Sequence, residues 1–193
     1  MVEKEKVRAF LAFDIPKHVT QELQSVVEQM NGKAKDVQWV KPEQYHCTVK
    51  FFGDVDEDVL IGDLTKSIQD TLVGKSKVKV ECKGVGVFPN WRYPKVIWAG
   101  LVGDTYELIN LHGECEDDFE KLGIERDQRT FRMHLTIGRA KSIKNTSALM
   151  KYVEKLVNKS FGEININKLI LYRSQLTKSG PIYTVVREFL LGD

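Results

Sequence analysis

The chain has 193 residues, 42% of them hydrophobic and 29% charged, with only five prolines. That is ample for one domain, or for one domain of two similar lobes, and it argues against long disordered or low-complexity stretches. A net charge of +2 is too mild to require a nucleic-acid partner, although a local cluster of Lys and Arg can still serve one.

The start, Met1-Val2-Glu3-Lys4-Glu5-Lys6, is charged and leads straight into a strand, so no signal peptide is expected. No apolar run approaches the roughly 18 residues of a membrane span. Cys47, Cys82 and Cys115 are odd in number and lack a framework spacing. They predict buried thiols and a reducing compartment, and together with the expected lack of a signal peptide and of a span they predict a cytoplasmic protein with no membrane partner.

Val7 to Phe13 predicts a strand buried on both faces. Asp14 and Pro16 open a helix carrying Val19, Leu23, Val26, Val27 and Met30, and Asn31-Gly32 ends it. A short apolar piece, 37–40, contains Trp39. Tyr45 to Gly53 alternates as a strand. The acidic turn 54–58 feeds a helix with Leu60, Leu64, Ile68 and Leu72, closed by Gly74. Val78, Val80 and Cys82 mark a strand with one wet face. Residues 84–94, with Phe88-Pro89-Asn90-Trp91, read as a surface flap, and 95–101 as another strand.

Asp104 is expected to cap a helix with Leu108, Ile109, Cys115, Phe119 and Leu122 on its inner face. Phe131 to Arg139 alternates as a strand. A helix follows with Leu149, Val153, Leu156 and Val157. The chain ends with a strand within 164–176, a Ser179-Gly180-Pro181 turn and a strand over 182–191. Strand pairs joined by short turns imply antiparallel pairing and an α+β fold.

Two of these strands match. His46-Cys47-Thr48-Val49 and His134-Leu135-Thr136-Ile137 lie 88 residues apart, each between helices. That outlines an internal duplication. Strand periodicity turns His46, Thr48 and Lys50 to one face and Tyr45, Cys47, Val49 and Phe51 to the other. Likewise it turns Arg132, His134 and Thr136 away from Phe131, Met133, Leu135 and Ile137. Two lobes about a pseudo-twofold axis would set the His/Thr faces opposite each other across a cleft.

Two imidazoles flanking a bond can act as acid and base near neutral pH. Two Thr hydroxyls can donate to phosphate oxygens, with Lys50, Arg8, Arg132 and Arg139 as candidates to balance charge. Positioning, charge stabilisation and in-line proton transfer are what phosphoryl transfer needs, and the set suits metal-free cleavage of an ester or cyclic phosphate.

The sequence resembles the 2H phosphoesterase superfamily, and within it the RNA 2′,3′-cyclic phosphodiesterase family, also called 2′-5′ RNA ligase. The likeness covers nearly the whole chain. It rests on Arg8-Ala9-Phe10-Leu11-Ala12, Trp39-Val40, the two His-x-Thr-x motifs with Phe51-Phe52-Gly53 and Arg139, Phe88-Pro89, Pro94, Val96 to Trp98, Leu171, Ser174, Gly180-Pro181 and Tyr183. Met133 departs from it, standing where the family usually has Pro.

The resemblance implies a bilobal fold of two antiparallel sheets flanking a central cleft, with helices outside, and no metal or other cofactor. It implies that RNA 2′,3′-cyclic phosphate ends, tRNA fragments among them, are opened to the 2′-phosphate, with reversible ATP-independent 2′-5′ ligation; a monomer is expected because the cleft uses the pseudo-symmetry internally. His46 would protonate the leaving 3′ oxygen, His134 would activate water, Thr48 and Thr136 would hold phosphate oxygens, and Arg139 would support the phosphate. Residues alone do not rank two His in a symmetric site. Strict alternation puts Arg139 on the wrong face, so Gly138 has to mark a bend or the strand end.

Several features carry plainer readings. His18 is expected at the surface and His112 in packing. Cys47 points to the core and is no nucleophile. Gly74-Lys75-Ser76 ends a helix where a P-loop would open one. Lys75, Lys77, Lys79 and Lys83 make a solvated strand face or a track for an RNA backbone. Phe88, Trp91 and Tyr93 either stack on a base or anchor their loop. Three other functions stay open: hydrolysis of 2′-5′-linked oligonucleotides, hydrolysis of a small cyclic nucleotide, and a non-catalytic RNA-end binding module.

Overall fold

The computed structural model describes residues 5–33, 36–142, 146–178 and 180–192. The chain's first four residues and Ser179 of the predicted turn lie outside them. Among the described residues nine strands run β1 (Lys6–Asp14), β2 (Val37–Trp39), β3 (His46–Asp56), β4 (Val78–Asn90), β5 (Tyr93–Gly103), β6 (His134–Ala140), β7 (Ser160–Ile166), β8 (Lys168–Thr177) and β9 (Gly180–Leu190). The helices are α1 (Lys17–Asn31), α2 (Glu57–Val59), α3 (Thr65–Leu72), α4 (Tyr106–Lys121) and α5 (Ser147–Val153). Among the described residues, no helix is long and apolar enough to cross a membrane.

The strands form two antiparallel halves, β7-β4-β5-β6 and β3-β1-β8-β9. They meet where β3 and β6 pair at one register, Cys47 opposite Leu135, which joins the two expected sheets into one. The short β2 adds to β6. The two strands with His-x-Thr motifs are therefore innermost, one from each half. Pairing is antiparallel throughout, as the hairpin turns predict.

One apolar core lies between sheet and helices. On α1 it takes Val19, Leu23, Val26, Val27 and Met30, the predicted stripe. Leu60, Leu64, Ile68 and Leu72 are all buried too. A strict four-residue spacing drifts by about 40° per step on an α-helix. Here Leu60–Leu64 form a π turn between α2 and α3, whose wider winding takes up part of that drift. Behind β3, Phe52 meets Phe119 of α4 edge-on at 5.1 Å.

Several elements differ from expectation. Residues 84–94 are the end of a long β4–β5 hairpin, and its turn is held by Asn90 Oδ1, which accepts from the Arg92 and Tyr93 amides. Inward alternation at Val85 and Val87 keeps that stretch in the sheet. On α4, Ile109 is exposed and Leu111 is buried in its place, since Leu108, Leu111, Cys115 and Phe119 keep the three- and four-residue spacing. Asp104 makes no cap, because Thr105 holds the N-cap position without a side-chain bond. Val157 is exposed, and the predicted strand within 164–176 is two strands that break at Asn167.

Candidate active site

Because β3 and β6 are antiparallel with Cys47 opposite Leu135, His46 faces Thr136 and Thr48 faces His134. The two His are then the diagonal pair, roughly 7–8 Å apart at this register, a gap that suits a phosphate between two rings. All four residues line a cleft of about 410 Å³ together with Arg8 and Arg139.

Each strand carries the same irregularity. Ala12 pairs with Thr48 and Leu11 with Lys50, leaving Val49 as an extra residue. Trp98 pairs with Thr136 and Ile97 with Gly138, leaving Ile137 extra. A β-bulge of this kind puts two neighbouring side chains on one face and shifts the phase beyond it. Val49 and Lys50 are both buried, as are Ile137 and Gly138. Phe51 and Arg139 then turn into the cleft. The bend expected at Gly138 is this bulge.

The same bulge removes Lys50 from the site. It points to the core side and is 4% exposed, with Nζ 2.7 Å from Glu116 Oε1 on α4 and bonded to the Glu125 carbonyl at 2.8 Å. Arg132 is also corrected. It precedes β6 with its side chain outside the cleft, and what it contributes is its carbonyl. Arg8 does line the cleft, its guanidinium 4.6 Å over the Phe51 ring.

The two imidazoles are held alike. His46 Nδ1–H donates to the Gln44 carbonyl at 2.8 Å, and His134 Nδ1–H donates to the Arg132 carbonyl at 2.6 Å. A carbonyl only accepts, so Nδ1 carries the proton and Nε2 is left to gain or lose one. Each ring also has aromatic neighbours. Phe10 lies 4.8 Å from His46, Tyr183 meets it edge-on at 5.3 Å, and Phe88 meets His134 edge-on at 5.0 Å. Phe88 thus anchors a ring of the site, while Trp91 and Tyr93 at the hairpin turn are exposed and outside the cleft.

Burial holds both imidazoles below the ordinary value of 6.5. For His46 the Gln44 carbonyl and Asp14, its partner across β1–β3, oppose that, whereas His134 and Arg139 add to it. For His134 the Arg132 carbonyl opposes it, and Arg139 and Arg129 add to it. So a carboxylate favours the charged form of His46, while the charges acting on His134 are cations.

Other residues behave as read. Burial pushes the Cys47 thiol up to about 12. His112 stacks flat on Phe131 at 4.0 Å. Lys75 and Lys79 are paired with Glu114 and Glu163, which favours the solvated-face reading. Phe51, Phe10, Asp14 and Gln44 were not singled out as site residues. For Phe51 the available signal was the duplication, which aligns it with Arg139.

The family model for LigT-like phosphoesterases matches residues 13–98 and 103–183. A Methanocaldococcus jannaschii protein named RNA 2′,3′-cyclic phosphodiesterase is 37% identical over 95% of this chain and 100% of its own length. One of the same name from Methanothermobacter thermautotrophicus is 36% identical over 96% of this chain and 100% of its own. A crystal structure of a Thermus thermophilus protein superposes with a TM-score of 0.77 at 25% identity, covering 95% of this chain and 97% of that one. Escherichia coli LigT complexed with 3′-AMP superposes at 0.76 and 18% identity, covering 98% and 100%. The motif strands, the fold and the length of the match agree, and the chain belongs to the LigT-like phosphoesterase family.

Proposed function

We propose that this protein hydrolyses RNA 2′,3′-cyclic phosphate ends to 2′-phosphates by metal-independent His/His acid–base catalysis. Water attacks phosphorus and the bond to O3′ breaks. His134 Nε2 takes the water proton as the new P–O bond forms, and His46 Nε2–H protonates O3′ as it leaves. Thr48, Thr136 and Arg139 hold the non-bridging oxygens, whose charge grows in the transition state. With the 5′-hydroxyl of a second RNA end in place of water, the same opening of the P–O3′ bond joins the two ends through a 2′-5′ bond, and attack of the freed 3′-hydroxyl reverses it.

The observation that carries this reading is the matched pair of imidazoles, each fixed through Nδ1 to the carbonyl two residues before it and each turned to one cleft. The acid/base order is supported by Asp14 opposite His46 and by the cations acting on His134. Two relatives that align over 95% and 96% of this chain bear the name of this activity. We further propose one domain of two lobes, each lending one motif, acting as a cytoplasmic monomer on RNA ends that include tRNA fragments. Three buried thiols are consistent with that compartment.

The test is turnover of cytidine 2′,3′-cyclic phosphate, and of a short RNA ending in the same group, in EDTA. Products are identified by phosphorus NMR for the intact protein, His46→Ala and His134→Ala. Release of 2′-phosphate by the intact protein alone supports the mechanism. Loss of activity in EDTA and its return with a divalent ion would sink the metal-free chemistry. RNA binding without turnover would favour an end-binding module, and turnover of the small nucleotide alone would favour a small cyclic nucleotide as substrate.

A further inference from the structure

The two imidazoles make the same hydrogen bond and differ in what stands behind it. Gln44, which accepts from His46, belongs to a 3-10 turn over Pro42–Gln44, and its own Nε2 donates to the Pro181 carbonyl at 2.6 Å. Arg132, which accepts from His134, lies in a stretch, 124–133, that is neither helix nor strand. A carbonyl on irregular backbone keeps a ring oriented only if side chains packed against it fix that backbone.

Those side chains come from one face of α4, where His112 and Glu116 stand four residues, about one turn, apart. Glu116 accepts from the Asp127 amide at 3.0 Å, and its partner Lys50 donates to the Glu125 carbonyl at 2.8 Å. Asp127 in turn accepts from the Arg129 amide at 3.0 Å. These bonds hold the front of the stretch. At its rear the His112 imidazole lies flat on the Phe131 ring, with centroids 4.0 Å apart and planes 6° apart. His112 is only 13% exposed, so its ring is set in the packing and serves as a fixed surface. Contact across a whole ring face sets the height and tilt of Phe131, and the Arg132 carbonyl is one residue further on.

Resting on the proposed acid–base reading, we infer that His112 is a positioning residue for His134: its stack on Phe131 holds the Arg132 carbonyl where that carbonyl fixes the His134 tautomer. Without the fixed carbonyl, the neutral His134 ring divides its proton between Nδ1 and Nε2 and is free to turn. A ring that carries its proton on Nε2 cannot take one from water there. His112 does not line the cleft, so substrate does not meet it and its loss falls on turnover. His46 keeps its own support and is the internal control.

The experiment sets the intact protein beside His112→Ala, His112→Gln and His112→Phe. The first readout is nitrogen-edited NMR of the imidazole Nδ1–H protons of His46 and His134. The intact protein should show both. His112→Ala and His112→Gln should lose the His134 signal and keep that of His46, and His112→Phe, which keeps a flat ring, should retain both. The second readout is turnover of cytidine 2′,3′-cyclic phosphate. His112→Ala and His112→Gln should lower kcat by about 10- to 100-fold with KM within about threefold, and His112→Phe should restore kcat to within about threefold. A His134 signal that persists in His112→Ala would overturn the inference. Loss of both signals together, a general loosening, would overturn it too, as would rescue by His112→Gln in place of His112→Phe, which would assign the role to the polar contact with Glu116. No turnover by the intact protein would sink the acid–base reading, whereas the NMR comparison reads the support of His134 whether or not the protein turns over.

Discussion

Removing Lys50 should destabilise the protein far more than an exposed-lysine change would. Its ammonium and the Glu116 carboxylate are each 4% exposed and 2.7 Å apart. Glu116 also accepts from the Asp127 amide at 3.0 Å, and Lys50 donates to the Glu125 carbonyl at 2.8 Å. The pair straps β3 to α4 and to the segment leading into β6. Lys50→Met leaves a buried carboxylate without its countercharge and a carbonyl without its donor, a loss of about 3–5 kcal/mol. Against a total stability of about 5–15 kcal/mol that is a large share. With a urea m-value of about 2 kcal/mol/M, the denaturation midpoint should fall by about 2 M. Lys50→Met/Glu116→Leu removes both charges. It should recover about half the loss, since the Glu125 carbonyl still lacks its donor and the Asp127 amide now loses its acceptor. His112 Nε2 lies 3.6 Å from Glu116. Burial lowers its pKa, with Lys50 contributing and Glu116 opposing. In Lys50→Met that contribution is gone and Glu116 raises the His112 pKa. The single variant should therefore gain stability relative to wild type as pH falls through the His112 pKa, and lose it as pH rises. Urea titrations followed by tryptophan fluorescence test all three points. A Lys50→Met loss under about 1 kcal/mol, or a double variant less stable than the single one, would refute the argument.

Four other outcomes are expected. The kcat/KM profile should be a bell centred on the acidic side of 6.5, because burial lowers both imidazoles. Its acid limb is protonation of the base and its alkaline limb deprotonation of the acid, and the apparent values belong to the pair. A rate that is level through that range would contradict the His/His chemistry. For stability the sign is the reverse of a salt-bridged His: both folded values lie below 6.5, so these imidazoles stabilise above 6.5 and that contribution is lost as pH falls through the folded values. In Gly138→Ala the new Cβ would stand 2.8 Å from Trp39 Cε3 and 3.1 Å from Val37 Cγ1. It should cost about 1–3 kcal/mol and lower turnover through Arg139, and an unchanged melting temperature would argue against that packing. Cys47, Cys82 and Cys115 are buried, each thiol pushed up to about 12. A disulfide reagent should label them only as the protein unfolds, and rapid labelling of the native protein would count against their burial.

The two His and two Thr were legible because all four precede the bulges, where period-two alternation holds without interruption. The antiparallel class was legible from the hairpin turns. Lys50, Phe51 and Arg139 follow the bulges, and there the alternation argument fails by one residue in both strands. On β6 the failure was visible, because Gly138 is a residue that weakens a regular strand and because Arg139 otherwise faced the core. On β3 nothing local marks it, since Val49-Lys50 is an ordinary strand dipeptide and the bulge is set by pairing with β1. The burial sequence of His46 to Phe51 is nonetheless the same, position by position, as that of His134 to Arg139. Two strands with different residues after Thr share one distortion, so the distortion belongs to the curl of the sheet around the cleft and not to either dipeptide. Carried across the duplication, the bend needed at Gly138 would have required one at Lys50. That single step turns the lysine inward, turns Phe51 into the cleft, and obliges the buried ammonium to find a carboxylate on the helix behind it, which Glu116 supplies.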